Sequence, residues 1–185
     1  MTKEYYACVY GGASERIADR HKNEIKRLGE LIAQNGLSLV YGAGGQGCMG
    51  AVAQGVKNAG GFVFGVVPHF MQDFEGLFEC DKKVWVETMS QRKDIMEEHA
   101  DIYLITPGGI GTMDEFFQVL TLKYLKRIDT PIVVLNLDGF YDSLLVLVDD
   151  LVRQGALIEG IYTMFDVVTA VDDPKLLQYF EEIKK

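Results

Sequence analysis

Three glycine-rich turns and one basic pair hold the residues of this chain whose types and spacing could do chemistry. The sharpest is Pro107-Gly108-Gly109-Ile110-Gly111-Thr112-Met113-Asp114-Glu115. Glycines lack a Cβ, so their backbone can approach a ligand closely and adopt positive φ. If Thr112 opens a helix, the unpaired N–H groups and positive dipole end there attract a phosphate. Thr112-x-x-Glu115 is also the spelling of a capping box, in which Glu115 folds back onto the Thr112 N–H. Both readings stand on the local sequence. Gly42-Ala43-Gly44-Gly45-Gln46-Gly47 matches G-x-G-x-x-G, a dinucleotide turn when it lies between a strand and a helix. That signature wants an acid about 20 residues on, to hold a ribose 2′-OH, and residues 62–68 contain none. Cys48 and Met49 occupy the places where a P-loop needs Lys and Ser/Thr. The alternatives left for Gly44 and Gly45 are a phosphate or sugar contact and a plain tight turn. Met89-Ser90-Gln91-Arg92-Lys93 offers an Arg fork beside a Lys, able to clamp a phosphate or steer a carboxylate. Its plain reading is a solvated helix face. Gly11-Gly12, with Ser14 just beyond, forms the third glycine turn.

The elements that must position these residues alternate along the chain. Residues 5–10, 37–41, 62–67, 84–87, 102–106, 131–137 and 167–171 read as strands. Residues 15–34 form an amphipathic helical pattern with Ser14 as its N-cap, ended by Asn35-Gly36. Further helices are predicted near residues 50–59, over 91–99, after Thr112, over 141–154, and over 174–183 with Pro174 in the first turn. Residues 69–83 mix aromatics and acids without a period and read as a long loop with a helical turn. Strands joined by helices in βαβ order imply an α/β fold: one doubly wound, Rossmann-like domain over residues 1–185. It has a parallel sheet of about seven strands with helices on both faces. Ligands of such sheets sit at the carboxyl ends of the strands, near the switch in strand order. All three glycine turns follow predicted strand ends, so they can converge on one site.

Composition narrows what that site can serve. Eighteen Lys plus Arg against 27 Asp plus Glu leave a formal net charge of −9, with no basic run to neutralise a nucleic acid polymer. A small anion is still compatible, because backbone amides and one or two placed cations suffice to bind it. Cys8, Cys48 and Cys80 are odd in number and far apart, and the histidines His21, His69 and His99 are scattered. Neither a disulfide framework nor a metal site is expected, and a reducing compartment fits. No apolar run reaches the roughly 18–20 residues needed to span a bilayer, and no secretory leader is recognisable. The expectation is a cytoplasmic protein without a membrane contact.

Several motifs, in order, resemble the LONELY GUY family of cytokinin-activating phosphoribohydrolases. Residues 107–115 fit its P-G-G-x-G-T-x-x-E signature, and Met89 with Arg92-Lys93 fits its M-x-x-R-K element. Tyr41-Gly42-Ala43-Gly44 through Met49-Gly50 fits its Y-G-G-G-x-x-G-L-M-G loop, and Val9-Tyr10-Gly11-Gly12-Ala13-Ser14 looks like its first phosphate-side loop. The likeness runs from about Tyr5 to Asp142 and includes Asn136-Leu137-Asp138-Gly139-Phe140-Tyr141. Ala13, Ala43, Cys48, Ser90-Gln91 and Met113-Asp114 depart from the family spelling and bear on the shape of the base pocket.

The resemblance implies a Rossmann-like homodimer without a cofactor. It would cleave the N-glycosidic bond of an adenine-type nucleoside 5′-monophosphate, AMP or a cytokinin riboside monophosphate, to free base and ribose 5-phosphate. It also implies the roles: Arg92 and Glu115 catalytic, with Gly12, Ser14, Gly44, Gly45, Met89, Lys93, Gly108, Gly109, Gly111 and Thr112 around the substrate. An ionised Glu115 would stabilise the positive charge that develops on the sugar, and the helix N-terminus would favour that ionisation. Some relatives carry an older lysine decarboxylase label, but nothing in the sequence suggests a pyridoxal-phosphate lysine with its pyridinium partner. Phe70, Met71, Phe74, Leu77 and Phe78 could line a pocket for a prenylated base or simply pack the loop. The rival functions are a non-catalytic nucleotide or cofactor carrier and an NAD-dependent oxidoreductase. The oxidoreductase lacks its ribose-binding acid.

Overall fold

Each central strand is apolar on both sides, which forces a layer of helices onto each face of the sheet. In the first strand, β1 (Tyr6–Tyr10), Ala7 and Val9 join one buried cluster while Tyr6, Cys8 and Tyr10 join the other. The computed structural model describes residues 4–72 and 76–185. Phe74, one of the residues offered for an apolar base pocket, lies outside the described residues.

After β1 the chain forms α1 (Asp19–Gln34), β2 (Ser38–Tyr41), α2 (Gly47–Asn58), β3 (Val63–Pro68) and β4 (Lys82–Val86). It continues through α3 (Met89–His99), β5 (Ile102–Ile105), α4 (Ile110–Tyr124), β6 (Ile132–Leu135), α5 (Asp142–Arg153), β7 (Asp166–Val168) and α6 (Pro174–Glu182). The seven strands form one sheet in the order β4-β3-β2-β1-β5-β6-β7, and every pairing is parallel. Helices α1, α2 and α6 supply Ile25, Leu28, Ile32, Val52, Val56 and Phe180 to the core on one face. Helices α3, α4 and α5 supply Met96, Phe116, Val119 and Val148 to the other. The winding direction reverses between β1 and β5, so their carboxyl ends open a crevice there. The predicted α/β, doubly wound architecture is the observed one.

Three boundaries shift for identifiable reasons. Helix α1 begins at Asp19 with Ala18 at its N-cap; Ser14 caps nothing there, its Oγ accepting instead from the Arg16 amide at 3.3 Å. Residues 11–18 are spent on a loop over the crevice. Helix α2 starts at Gly47, three residues early, because Gly47 turns the chain at φ +58°. Strand β4 starts at Lys82, two residues early. It lies at the sheet edge, where lysines are tolerated and discourage pairing with another chain; Lys82 Nζ rests 4.1 Å from the Phe64 ring centroid.

Helices α1 and α2 touch backbone to backbone through Gly29 and Gly55. A Cβ on Gly55 would collide with the Lys26 carbonyl oxygen, and one on Gly29 with that of Val52. Backbone atoms cannot step aside as a side chain can, so the helices would have to separate. Gly55→Ala is therefore expected to destabilise the protein by about 1–3 kcal/mol, the usual cost of overpacking, read as a lower urea midpoint at unchanged slope. A midpoint equal to or above wild type contradicts this packing.

Candidate active site

The crevice between β1 and β5 is built by welding three loops together. The Thr106 amide and hydroxyl both donate to the Tyr10 carbonyl, at 2.8 and 3.0 Å, tying the two strand ends. Just beyond these ends, the Gly12 amide donates to the Pro107 carbonyl at 3.0 Å. The Gly12 carbonyl in turn accepts from the Cys48 and Met49 amides at 2.8 and 3.3 Å. Gly47 must be glycine twice over, since besides its positive φ a Cβ there would lie 2.5 Å from the Gly12 oxygen. The first free amides of α2 are thus consumed by the β1 loop. The welded loops enclose a cavity of about 670 Å³.

Helix α4 meets this cavity with its amides open. Its N-cap is Gly109, which offers no side chain, and the helical hydrogen bonding opens with Met113 N–H donating to the Gly109 carbonyl at 3.0 Å. The amides of Gly111 and Thr112 precede that bond and belong to residues lining the cavity. A Cβ on Gly109 or Gly111 would meet nothing, whereas one on Gly108 would lie 2.7 Å from the Gly12 nitrogen. Gly108 is small for packing; Gly109 and Gly111 leave space for a ligand. Thr112 is the third residue of the helix and not its opening residue. Thr112 and Glu115 therefore form no capping box. The box in this region is Thr88 with Gln91 at the start of α3: the Gln91 amide donates to Thr88 Oγ1 at 3.1 Å, and Gln91 Oε1 accepts from the Thr88 amide at 3.2 Å. It anchors the turn from which Arg92 projects.

Arg92 and Glu115 face the same cavity, and both are buried, at 5% and 8% exposure. Among the described residues neither side chain has an ion-pair partner within 4 Å. Among the described residues the hydrogen-bonding partners of Arg92 Nη1 are the thioether sulfurs of Met71 and Met89, at 3.7 and 3.8 Å, and its buried Nε has none. Burial pushes the Glu115 carboxyl up to about 7, against the opposing pull of the Arg92 charge. The expectation that the helix dipole would favour its ionisation is corrected: Glu115 sits in the second turn of α4, beyond the dipole's short reach, and desolvation dominates.

Of the residues singled out from sequence, Gly12, Ser14, Met89, Arg92, Gly108, Gly109, Gly111, Thr112 and Glu115 line the cavity. Gly44, Gly45 and Lys93 do not. Gly44 pairs with Leu77, and the Gly45 amide donates to the Gly76 carbonyl at 2.7 Å, so these glycines pin the returning β3–β4 segment. Lys93 is held by Asp114 at 2.9 Å, on the outer side of α3 and α4. Of the described residues offered for a base pocket, only Met71 lines the cavity; Leu77 and Phe78 pack on the core and Phe70 is exposed. Ile17, Gln46 and Phe140 also line it; as single apolar or amide residues in loops they carry no spacing signal. Among the described residues no group of three or more His, Cys, Asp or Glu could hold a metal ion, and no helix is long and apolar enough to cross a membrane.

The chain matches the protein family described as "Possible lysine decarboxylase" over residues 49–178. It is 35% identical over 176 residues to the cytokinin riboside 5′-monophosphate phosphoribohydrolase LOG2 of Arabidopsis thaliana, covering 95% of this chain and 82% of that protein. It is also 35% identical over 176 residues to the probable cytokinin riboside 5′-monophosphate phosphoribohydrolase LOGL9 of Oryza sativa subsp. japonica, covering 95% of this chain and 77% of that one. Among solved structures, the molybdenum cofactor carrier protein of Chlamydomonas reinhardtii superposes with a TM-score of 0.73 at 19% identity, covering 98% of each chain. That is a likeness of fold.

The raised carboxyl makes a prediction about stability. A group that titrates near 7 when folded and near 4.5 when unfolded holds its proton more tightly in the native state. It therefore costs nothing below about pH 4.5, costs progressively more up to about pH 7, and its penalty is constant above. Glu115→Gln removes the charge at every pH. Its stability relative to wild type, from urea midpoints, should be higher above about pH 8 than below about pH 5. A difference independent of pH would contradict the burial of this carboxyl.

Proposed function

The chain belongs to the LONELY GUY family of phosphoribohydrolases, and on that premise we propose that it hydrolyses the N-glycosidic bond of adenine-type nucleoside 5′-monophosphates. This follows the names of the curated relatives and not the family's older lysine decarboxylase description. One observation carries the reading: an unpaired, buried carboxyl and an unpaired, buried guanidinium face one cavity beside open helix amides. That set matches a substrate with an anionic handle and a centre that becomes positive.

The 5′-phosphate would lie against the amides of Gly109, Gly111 and Thr112, with Gly12 and Ser14 opposite. Such a seat at a helix N-terminus is suited to a phosphate oxygen. The ribose then extends toward Glu115 and Arg92. As the bond from C1′ to the base nitrogen breaks, its electron pair leaves with the base and positive charge spreads over C1′ and the ring oxygen. A carboxylate at Glu115 stabilises that charge. Water attacks C1′, its oxygen and one hydrogen stay on the sugar, and its other proton passes to Glu115 and from there, through solvent, to the nitrogen of the departed base, which restores the carboxylate and gives neutral free base. A base titrating near the working pH suits this transfer. Arg92 supplies the positive field that keeps Glu115 partly ionised. Lys93 adds field from a distance. Met49, Met71 and Met89 supply soft thioether surface against which a purine, plain or prenylated, could pack.

We further propose a homodimer acting in the cytoplasm. Ile110 and Tyr124 on α4, Leu125 just after it, and Val146 and Leu147 on α5 are large apolar side chains exposed on the same side of the sheet. Large apolar side chains left exposed on one side of the sheet favour a second protein surface over water. The three cysteines are free thiols, in keeping with a reducing compartment.

Incubation with AMP, or with a prenylated riboside monophosphate, is expected to release free base and ribose 5-phosphate. Glu115→Gln should lower turnover roughly 10²-fold or more while leaving nucleotide binding intact. For wild type, kcat/KM should climb with pH and level off above about 7, because the base form of Glu115 in the free enzyme is required. Near-normal turnover in Glu115→Gln defeats the assignment. Light scattering at micromolar concentration should give twice the chain mass, and Leu125→Glu should shift it toward the monomer; a monomeric wild type overturns the dimer.

A further inference from the structure

Arg92 reaches its place only because residue 42 has no side chain. The backbone of Gly42 passes directly beneath the guanidinium: a Cβ there would fall onto Nη2, lie 2.6 Å from Cζ, and approach the Met49 methyl at 2.9 Å. Gly42 is not among the residues with positive φ. No positive φ requires glycine here, and the atoms nearest to an added methyl are the ends of the Arg92 and Met49 side chains. The glycine requirement at this position is a requirement of Arg92.

We propose that Gly42 is a positioning residue for Arg92, so that the first glycine of the G-x-G-x-x-G loop serves the reaction centre through the guanidinium and makes no contact with phosphate. The inference rests on the reading that Arg92 and Glu115 act on the substrate. The seat has a particular chemistry. Below the guanidinium is a bare Cα; beside it are the sulfurs of Met71 and Met89, at 3.7 and 3.8 Å. Thioethers accept hydrogen bonds weakly and carry no charge. They orient the planar group without neutralising it, so its full field remains directed at Glu115 and at an anionic ligand. A carboxylate or amide in the same place would bind the guanidinium strongly and draw it off the cavity. The other glycines of the loop have separate duties: Gly44 and Gly45 hold the β3–β4 segment, and Gly47 makes the corner into α2. That division explains why a dinucleotide-like spelling occurs without the acid that a dinucleotide needs.

The test is a double-mutant cycle on Gly42→Ala and Arg92→Ala, with single-turnover AMP hydrolysis, circular dichroism and pH profiles as readouts. Gly42→Ala should keep the fold and lose on the order of 10²-fold in kcat/KM, the scale set by about 1 Å of misplacement at a reacting centre. In the Arg92→Ala background the same change should cost less than about 2-fold, since the displaced group is already gone. Both single variants should move the kcat/KM inflection upward in pH, because each withdraws a positive charge from Glu115. If Gly42→Ala alone folds poorly, the double variant should fold normally.

Full activity in Gly42→Ala, an equal loss in both backgrounds, or a folding defect that persists in the double variant each overturns the proposal while leaving the proposed function intact. Near-normal activity in Arg92→Ala defeats the catalytic reading of Arg92, and the proposal with it. Loss that depends on Arg92 supports both.

Discussion

A buried positive charge without a buried negative partner is costly, several kcal/mol when nothing compensates it. This protein holds such a charge at Arg92. Its neighbours are arranged so that no carboxylate quenches it. Two nearby charged groups are committed elsewhere: Lys93 to Asp114 and Glu97 to Gln118. These pairs join α3 to α4 and, among the described residues, leave Arg92 and Glu115 as the charged side chains that line the cavity. The cost is met by the fold as a whole, through two apolar clusters on either side of a seven-stranded sheet. Removing partners from both a cation and an acid makes each respond strongly to whatever enters between them.

The same arrangement explains why the carboxyl titrates high. Burial strips most of the solvent from Glu115, and the guanidinium that would restore its ionisation makes no direct bond to it. A carboxyl buried without a partner costs stability, a trade common at sites that must change charge during a reaction. By contrast the thiols gain nothing from the site. Cys8 and Cys48 are buried, and burial pushes Cys48 up to about 12, so both behave as small apolar residues in the core.

The sheet and its helices were legible because apolar runs and helical periods alternate without interruption, and because β1, β5 and β6 are apolar on both faces. The carboxyl ends of the strands, and hence the place of the site, followed from topology. Loop chemistry was harder. Ser14 has every mark of an N-cap, yet the chain between Gly11 and Ala18 is needed over the crevice, and a helix starting at Glu15 would have left it open. Thr112-x-x-Glu115 spells a capping box as well as Thr88-x-x-Gln91 does; only the position of the first helical residue tells them apart, and that is set by Gly109. The glycines of residues 42–47 read as a single ligand-binding turn because all were small. Their reasons differ, and each reason is a contact with a residue distant in sequence: Arg92, Leu77, Gly76 and Gly12. Met71 was among the apolar loop residues offered for a base pocket, whereas Phe140 reaches the cavity from a short turn where a lone side chain has no period to betray it.

The peptide at Gly12 is fixed at both ends, its N–H by Pro107 and its carbonyl by the first amides of α2. A free loop of this kind would surrender about 1–2 kcal/mol of conformational entropy for each residue frozen by an incoming anion. Here that ordering is complete before any anion arrives. Recognition at this end of the crevice becomes a rigid fit, and selectivity between ligands is left to the half of the cavity where flexible methionines line the wall.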